Sequence, residues 1–156
     1  MTQVTKKMEF YEIFTLRIAR FIYFCGENPM DNMTNKLTIK AFNHVAIQIS
    51  DIEKSRAFYS ETLGLEEIPA PAFDYPVVWF SLGNGREVHL IGRKPEATFT
   101  PVRSNHFALE VSDIYLAEKI LKENGANCLP IKSRPDGILQ LFLTDPDGNF
   151  IELCEI

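Results

Sequence analysis

Asn43-His44-Val45-Ala46-Ile47-Gln48-Ile49-Ser50-Asp51-Ile52 returns 62 residues later as Asn105-His106-Phe107-Ala108-Leu109-Glu110-Val111-Ser112-Asp113-Ile114, with six of ten positions identical and four conservative. A second echo closes each copy: Gly85-Arg86-Glu87-Val88-His89-Leu90 precedes Gly148-Asn149-Phe150-Ile151-Glu152-Leu153 by 63 residues. A fixed internal period signals repeated structural units. The chain therefore divides into two modules, 41–95 and 103–156, joined by a Pro/Thr-containing segment at 94–101.

Each module reads in the same order. An alternating strand comes first, at 43–49 and 105–111. A helix follows, capped by Ser50 or Asp51 in one copy and Ser112 or Asp113 in the other. Ser50 and Glu53 have the spacing of a capping box. Gly64 and Gly125 fall where a left-handed helix stop is expected. Three strands follow, near 65–69, 77–82 and 86–91, then near 127–131, 138–144 and 149–155. Asn84-Gly85 and Asp145-Pro146-Asp147-Gly148 supply the turns before each last strand. The unit is βαβββ, present twice, and the fold class is α+β. The helix positions Ile52, Phe58, Tyr59 and Leu63, with Ile114, Ala117 and Leu121, read as core.

The 156 residues suffice for one domain at 38–156, not for two independent ones. The net charge of −5 and the lack of a basic run exclude tight nucleic-acid binding. No apolar stretch reaches membrane-spanning length. Cys25, Cys128 and Cys154 form no metal-finger or disulfide pattern and suit a reducing, cytoplasmic setting. Residues 1–37 stand apart: they hold all four methionines and are not acidic, with five Lys/Arg against four Asp/Glu. Glu12, Arg17 and Arg20 interrupt Phe10–Phe24, so it is a poor signal peptide. Two readings stay open: an amphipathic helix, or upstream sequence ahead of a start at Met30 or Met33, with the second favoured.

The three histidines, His44, His89 and His106, and one glutamate, Glu152, occupy two pairs of repeat-equivalent positions. Strand alternation puts His44, Ala46 and Gln48 on one face, and His106, Ala108 and Glu110 on the matching face. A lone strand histidine is more often packing or surface than ligand. A ligating residue at both 89 and 152 is the sharper signal. Modules packed about a pseudo-twofold axis would bring imidazoles and a carboxylate together, a donor set suited to a divalent transition metal.

These motifs, 43–65, 105–114 and 143–156, resemble the vicinal oxygen chelate superfamily: glyoxalase I, methylmalonyl-CoA epimerase, extradiol dioxygenases, fosfomycin-resistance and bleomycin-binding proteins. The resemblance implies two curved mixed sheets around a cleft, and one divalent ion (Zn, Ni, Co, Mn or Fe) on His44, His89, His106 and Glu152. Four protein ligands leave two neighbouring positions open, which suits vicinal oxygens such as a 2-oxoaldehyde–thiol adduct or its enediolate. Glu152 maps to the catalytic, proton-moving glutamate of glyoxalase I. His89 departs from the pattern, because glyoxalase I commonly has glutamate there and the epimerases glutamine. The expectation is a glyoxalase-like lyase or isomerase, a homodimer, with a small-molecule substrate, a thiol cosubstrate left open, and no nucleic-acid or membrane partner. The alternatives are a metal-free antibiotic-binding protein and, ranked lower, an extradiol-type dioxygenase, whose open third position His89 would block. Lys132 and Arg134 could serve a phosphonate or carboxylate, although a solvated loop is the plainer reading. Phe73, Tyr75, Trp79 and Phe150 are candidates for an apolar wall, with Trp79 and Phe150 reading equally as core. Gln48 and Arg86 are candidates for polar contacts to substrate.

Overall fold

The computed structural model describes residues 37–92 and 100–156. The expectations for 1–36, and for most of the joining segment, lie outside them. Leu37–Lys40 are exposed and irregular. The body from Ala41 to Ile156 forms a unit of its own.

The first module runs β1 (His44–Gln48), α1 (Ile52–Ala57), β2 (Glu66–Ile68), β3 (Val77–Ser81) and β4 (Glu87–Ile91). The second runs β5 (His106–Glu110), α2 (Ile114–Glu123), β6 (Lys132–Ser133), β7 (Leu139–Thr144) and β8 (Phe150–Glu155). Each builds a four-stranded mixed sheet, ordered β1-β4-β3-β2 and β5-β8-β7-β6. In both, the first strand lies parallel to the last and the remaining pairs are antiparallel. This is the α+β, twice-βαβββ architecture that the repeat predicts.

Alternation decides which face is buried. Ile47, Val78, Phe80, Val88 and Leu90 of the first sheet share one buried cluster with Leu141, Leu143, Ile151 and Leu153 of the second. Each such side chain contributes about 1.5–3 kcal/mol on leaving water. The modules thus hold a common core, and Tyr59, Ile114 and Leu121 from the helical segments complete it. Among the described residues, no helix is long and apolar enough to cross a membrane.

The helix starts use aspartate. Asp51 Oδ1 accepts from the backbone of Glu53 and Lys54, both at 3.1 Å, and Asp113 Oδ1 accepts from Tyr115 and Leu116. The Ser50–Glu53 capping box does not form. Asp51 already satisfies the free donors, the Glu53 carboxylate binds Arg56, and the Ser50 amide donates to Asp147. Gly64 and Gly125 take the left-handed conformation as helix stops (φ 70° and 81°). The first helix continues into a π-helical turn, Phe58–Thr62, which leaves Tyr59 fully buried. The strand expected near 127–131 is also corrected. It is reduced to a single bridge, Cys128–Leu143, and the short β6 beyond it. Pro130 lacks the N–H that a continuous ladder there would use.

A buried polar junction helps to tie the modules together. The Tyr59 hydroxyl donates to buried Asp145 at 3.2 Å, and Asp145 also accepts from the amides of Asp147 and Asn149 and from Asn149 Nδ2. Burial raises the Asp145 carboxyl above its ordinary range, and these hydrogen bonds pull the other way.

Candidate metal centre

The faces opposite the core carry the chemistry. On β1, His44, Ala46 and Gln48 are exposed while Ile47 is buried; on β5, His106, Ala108 and Glu110 are exposed. Register aligns Ala46 and Trp79 with His89, and Ala108 and Phe142 with Glu152. Each module therefore presents two of the expected ligands on a single sheet face.

In the first module the rings stack. His89 lies between His44, at 4.2 Å between centroids and 15° between planes, and Trp79, at 3.8 Å and 4°. His44 Nδ1 donates to Asn43 Oδ1 at 2.7 Å, and His89 Nε2 donates to Glu87 Oε2 at 2.6 Å. Imidazole lone pairs lie in the ring plane. Two nearly parallel rings cannot both aim at one ion, so joint ligation by His44 and His89 requires one ring to turn.

In the second module, His106 Nε2 stands 2.8 Å from Glu152 Oε2. A carbonyl can only accept, so the 2.7 Å contact from His106 Nδ1 to the Arg103 carbonyl fixes the hydrogen on Nδ1. The 2.8 Å contact from Nε2 to the carboxylate then needs a proton or a metal cation held between the two. Glu152 is only 4% exposed. Its Oε1 is buried without a hydrogen-bond partner, with Arg134 Nη1 3.7 Å away. An unsatisfied buried carboxylate oxygen is costly unless a cation meets it. The donor types and this orphaned oxygen fit a divalent metal. Among the described residues, however, no three His, Cys, Asp or Glu side chains come together closely enough to hold one. The structure brings His44 to His89 and His106 to Glu152, and makes no single group of the four.

The remaining candidates scatter. Phe73 packs on Tyr75 (5.2 Å) and on Trp79 (6.1 Å), so the aromatic wall forms beside His89. Phe150 shares the face of Glu152 and is half-buried. Gln48 is exposed, two residues beyond His44. Arg86 closes the β3–β4 hairpin through its backbone, donating to Gly83 and accepting from Leu82. Its side chain is exposed, and among the described residues no hydrogen bond or ion pair joins it to the histidines. Two contributors have no sequence role assigned above. Glu87 holds His89, a same-face i,i+2 relation readable on a strand. The Arg103 carbonyl orients His106 from a loop, where no pattern announces it. A cavity of about 720 Å³ opens beside His106, lined by Arg103, Leu129, Pro130, Lys132, Gln140 and Phe142.

Comparison with known proteins bears directly on this site. The Glyoxalase/Bleomycin resistance protein/Dioxygenase superfamily matches over residues 41–153. The chain belongs to that superfamily. It is 33% identical over 140 residues to human mitochondrial methylmalonyl-CoA epimerase, covering 80% of each chain. It is 30% identical over 128 residues to Glyoxylase I 4 of Arabidopsis thaliana, covering 77% of this chain and 73% of that one. A solved superfamily member from Sphaerobacter thermophilus superposes with a TM-score of 0.62 at 29% identity, over 77% of this chain and all (100%) of the other.

Proposed function

We propose that this protein is a metal-dependent lyase or isomerase of glyoxalase type, shifting a proton between adjacent carbons of a small substrate with vicinal oxygens. The observation that carries this reading is Glu152: buried, 2.8 Å from His106 Nε2 through one oxygen, with the other lacking a hydrogen-bond partner. The kinship with proteins named glyoxylase I and methylmalonyl-CoA epimerase supports it.

His44, His89, His106 and Glu152 would hold the ion. A divalent cation there supplies a Lewis acid that makes the carbon-bound proton of a vicinal-oxygen substrate more acidic. The chain's own residues do the rest. Glu152 Oε1 takes the proton from one carbon and returns it to the next. The Arg103 carbonyl keeps the His106 tautomer fixed, as Glu87 does for His89. Phe142 meets the His106 ring edge-on at 5.1 Å and shields that side from water. Both half-sites lie on strands whose ligand face is open, so a second copy of the chain would supply the missing half of each site. The active form is then a homodimer.

The test is elemental analysis of wild type, His106→Ala and Glu152→Gln purified without a chelating tag. Wild type should hold about one equivalent of Zn, Ni, Co, Mn or Fe per chain, lost in His106→Ala. Methylglyoxal mixed with thiols is the first substrate to assay. Metal-free wild type after reconstitution, or full activity in Glu152→Gln, would overturn the reading.

A further inference from the structure

The cavity beside His106 carries two cations that the proposed chemistry does not use. Lys132 pairs with Gln140 across β6–β7, and Gln140 lies on the same face of β7 as Phe142, whose β8 neighbour is Glu152. Lys132 therefore stands about 7 Å along the sheet from the Glu152 rung, on the face of the site. Arg103 is fixed from two directions. Its carbonyl accepts from His106 at 2.7 Å, and its guanidinium lies 5.3 Å over the Phe142 ring. Arg56, Lys119, Lys122 and Arg134 all have a carboxylate within 4 Å. Among the described residues neither Arg103 nor Lys132 has one, in a chain of net charge −5. Leu129, Pro130 and Phe142 line the same cavity as these cations.

We infer that this cavity takes an oxyanion group of the substrate, a carboxylate or a phosphate, on Arg103 and Lys132. A short carbon chain lies along Leu129 and Phe142, and the reacting carbons reach His106 and Glu152. The inference rests on the reading of that pair as half of the catalytic site, and it names the substrate class: small anionic compounds, not neutral 2-oxoaldehydes alone. About 720 Å³ is ample for such a molecule. The backbone carbonyl of Arg103 orients His106, so a side-chain substitution there leaves the histidine's tautomer undisturbed.

The experiment uses the full chain, isotope-labelled and stripped of metal by a chelator, titrated with butyrate, butylphosphonate and butyramide and followed by two-dimensional NMR. Butyrate or butylphosphonate should give saturable shifts confined to residues 103–106 and 129–142, and butyramide none. The double variant Arg103→Gln/Lys132→Gln, with an unchanged spectrum elsewhere, should bind the anion about tenfold more weakly. Tighter butyrate identifies a carboxylate substrate, and tighter butylphosphonate a phosphorylated one. Equal binding of butyramide, no shifts from either anion, or unaltered affinity in the double variant would each overturn the inference. Metal content of the untreated protein is measured separately. Anion binding without metal removes the catalytic reading alone, and metal without anion binding removes this one alone.

Discussion

At repeat-equivalent positions the first module carries His89 and the second Glu152, and their surroundings have diverged with them. His89 is clasped between two rings and its Nε2 is spent on Glu87. Glu152 meets His106 Nε2 through one oxygen and keeps the other without a hydrogen bond. The first pair is complete as a piece of packing; the second leaves a buried carboxylate oxygen without a hydrogen-bond partner. The two hairpins before these residues differ in the same way. In the first module a tight turn passes through Asn84 at φ 51°, while in the second Asp145 collects four hydrogen bonds. Duplication preserved the backbone plan. The second copy became the place where the polar demands of the molecule concentrate.

The sharpest way to break this comparison is to disable one half-site in each of two preparations. His44→Ala and His106→Ala should each lose activity by about a hundredfold or more. If ligand pairs from two copies complete each site, mixing and re-equilibrating the two variants returns about a quarter of wild-type activity, because half the dimers then carry one intact site. No recovery in the mixture would show that all four ligands serve within one chain.

The next effect concerns stability. Asp145→Ala strands four donors and should cost about 3 kcal/mol by urea denaturation. Asn84→Gly, at the turn of the first module, should change stability by under about 0.5 kcal/mol. Similar values for the two would erase the asymmetry between the hairpins.

Gly85 and Gly148 make a finer pair. Both hold positive φ, but a Cβ on Gly85 meets nothing, while one on Gly148 would lie 3.3 Å from Pro101 Cγ. Gly85→Ala should cost about 1 kcal/mol of backbone strain, and Gly148→Ala about 2 kcal/mol, both read from thermal melts.

Tyr59→Phe should cost about 1 kcal/mol near neutrality. Burial first, and the facing Asp145 carboxylate second, hold this phenol well above its ordinary value. Its folded-state pKa therefore exceeds the unfolded one. The stability it contributes is whole below about pH 10 and is lost as pH rises further, where only the unfolded chain ionises readily. Denaturation midpoints of Tyr59→Phe should fall less steeply above pH 10 than those of wild type.

Much of this was legible in the chain. The two echoes announce the twice-repeated βαβββ unit and the face carrying each histidine, because period-two alternation leaves one choice of buried side; the order of strands within each sheet they leave open. The shared face of His106 and Glu152 follows once β5 lies beside β8. The stack of His44, His89 and Trp79 does not, since ring orientation is set by neighbours across the sheet. Nor does the helix cap, where serine and aspartate stand side by side and only the backbone angle chooses. The strand expected near 127–131 shrinks to one bridge because Pro130 has no N–H to give a ladder. Arg103 was invisible because a loop carbonyl acts without a side-chain signature. Arg86 sits at the turn before the His89 strand, where its backbone closes the hairpin.

Tyr59 and Asp145 are 86 residues apart in sequence. On the ribosome the first module emerges with its half of the shared core bare and its buried tyrosine without an acceptor. It must wait for most of the second module to leave the exit tunnel. At about 5–20 residues per second, that interval is several seconds. Whatever guards nascent chains has that long to act, and the Asp145 hairpin and β8, made well after the first module, deliver both the lock for that module and the glutamate on which the proposed chemistry turns.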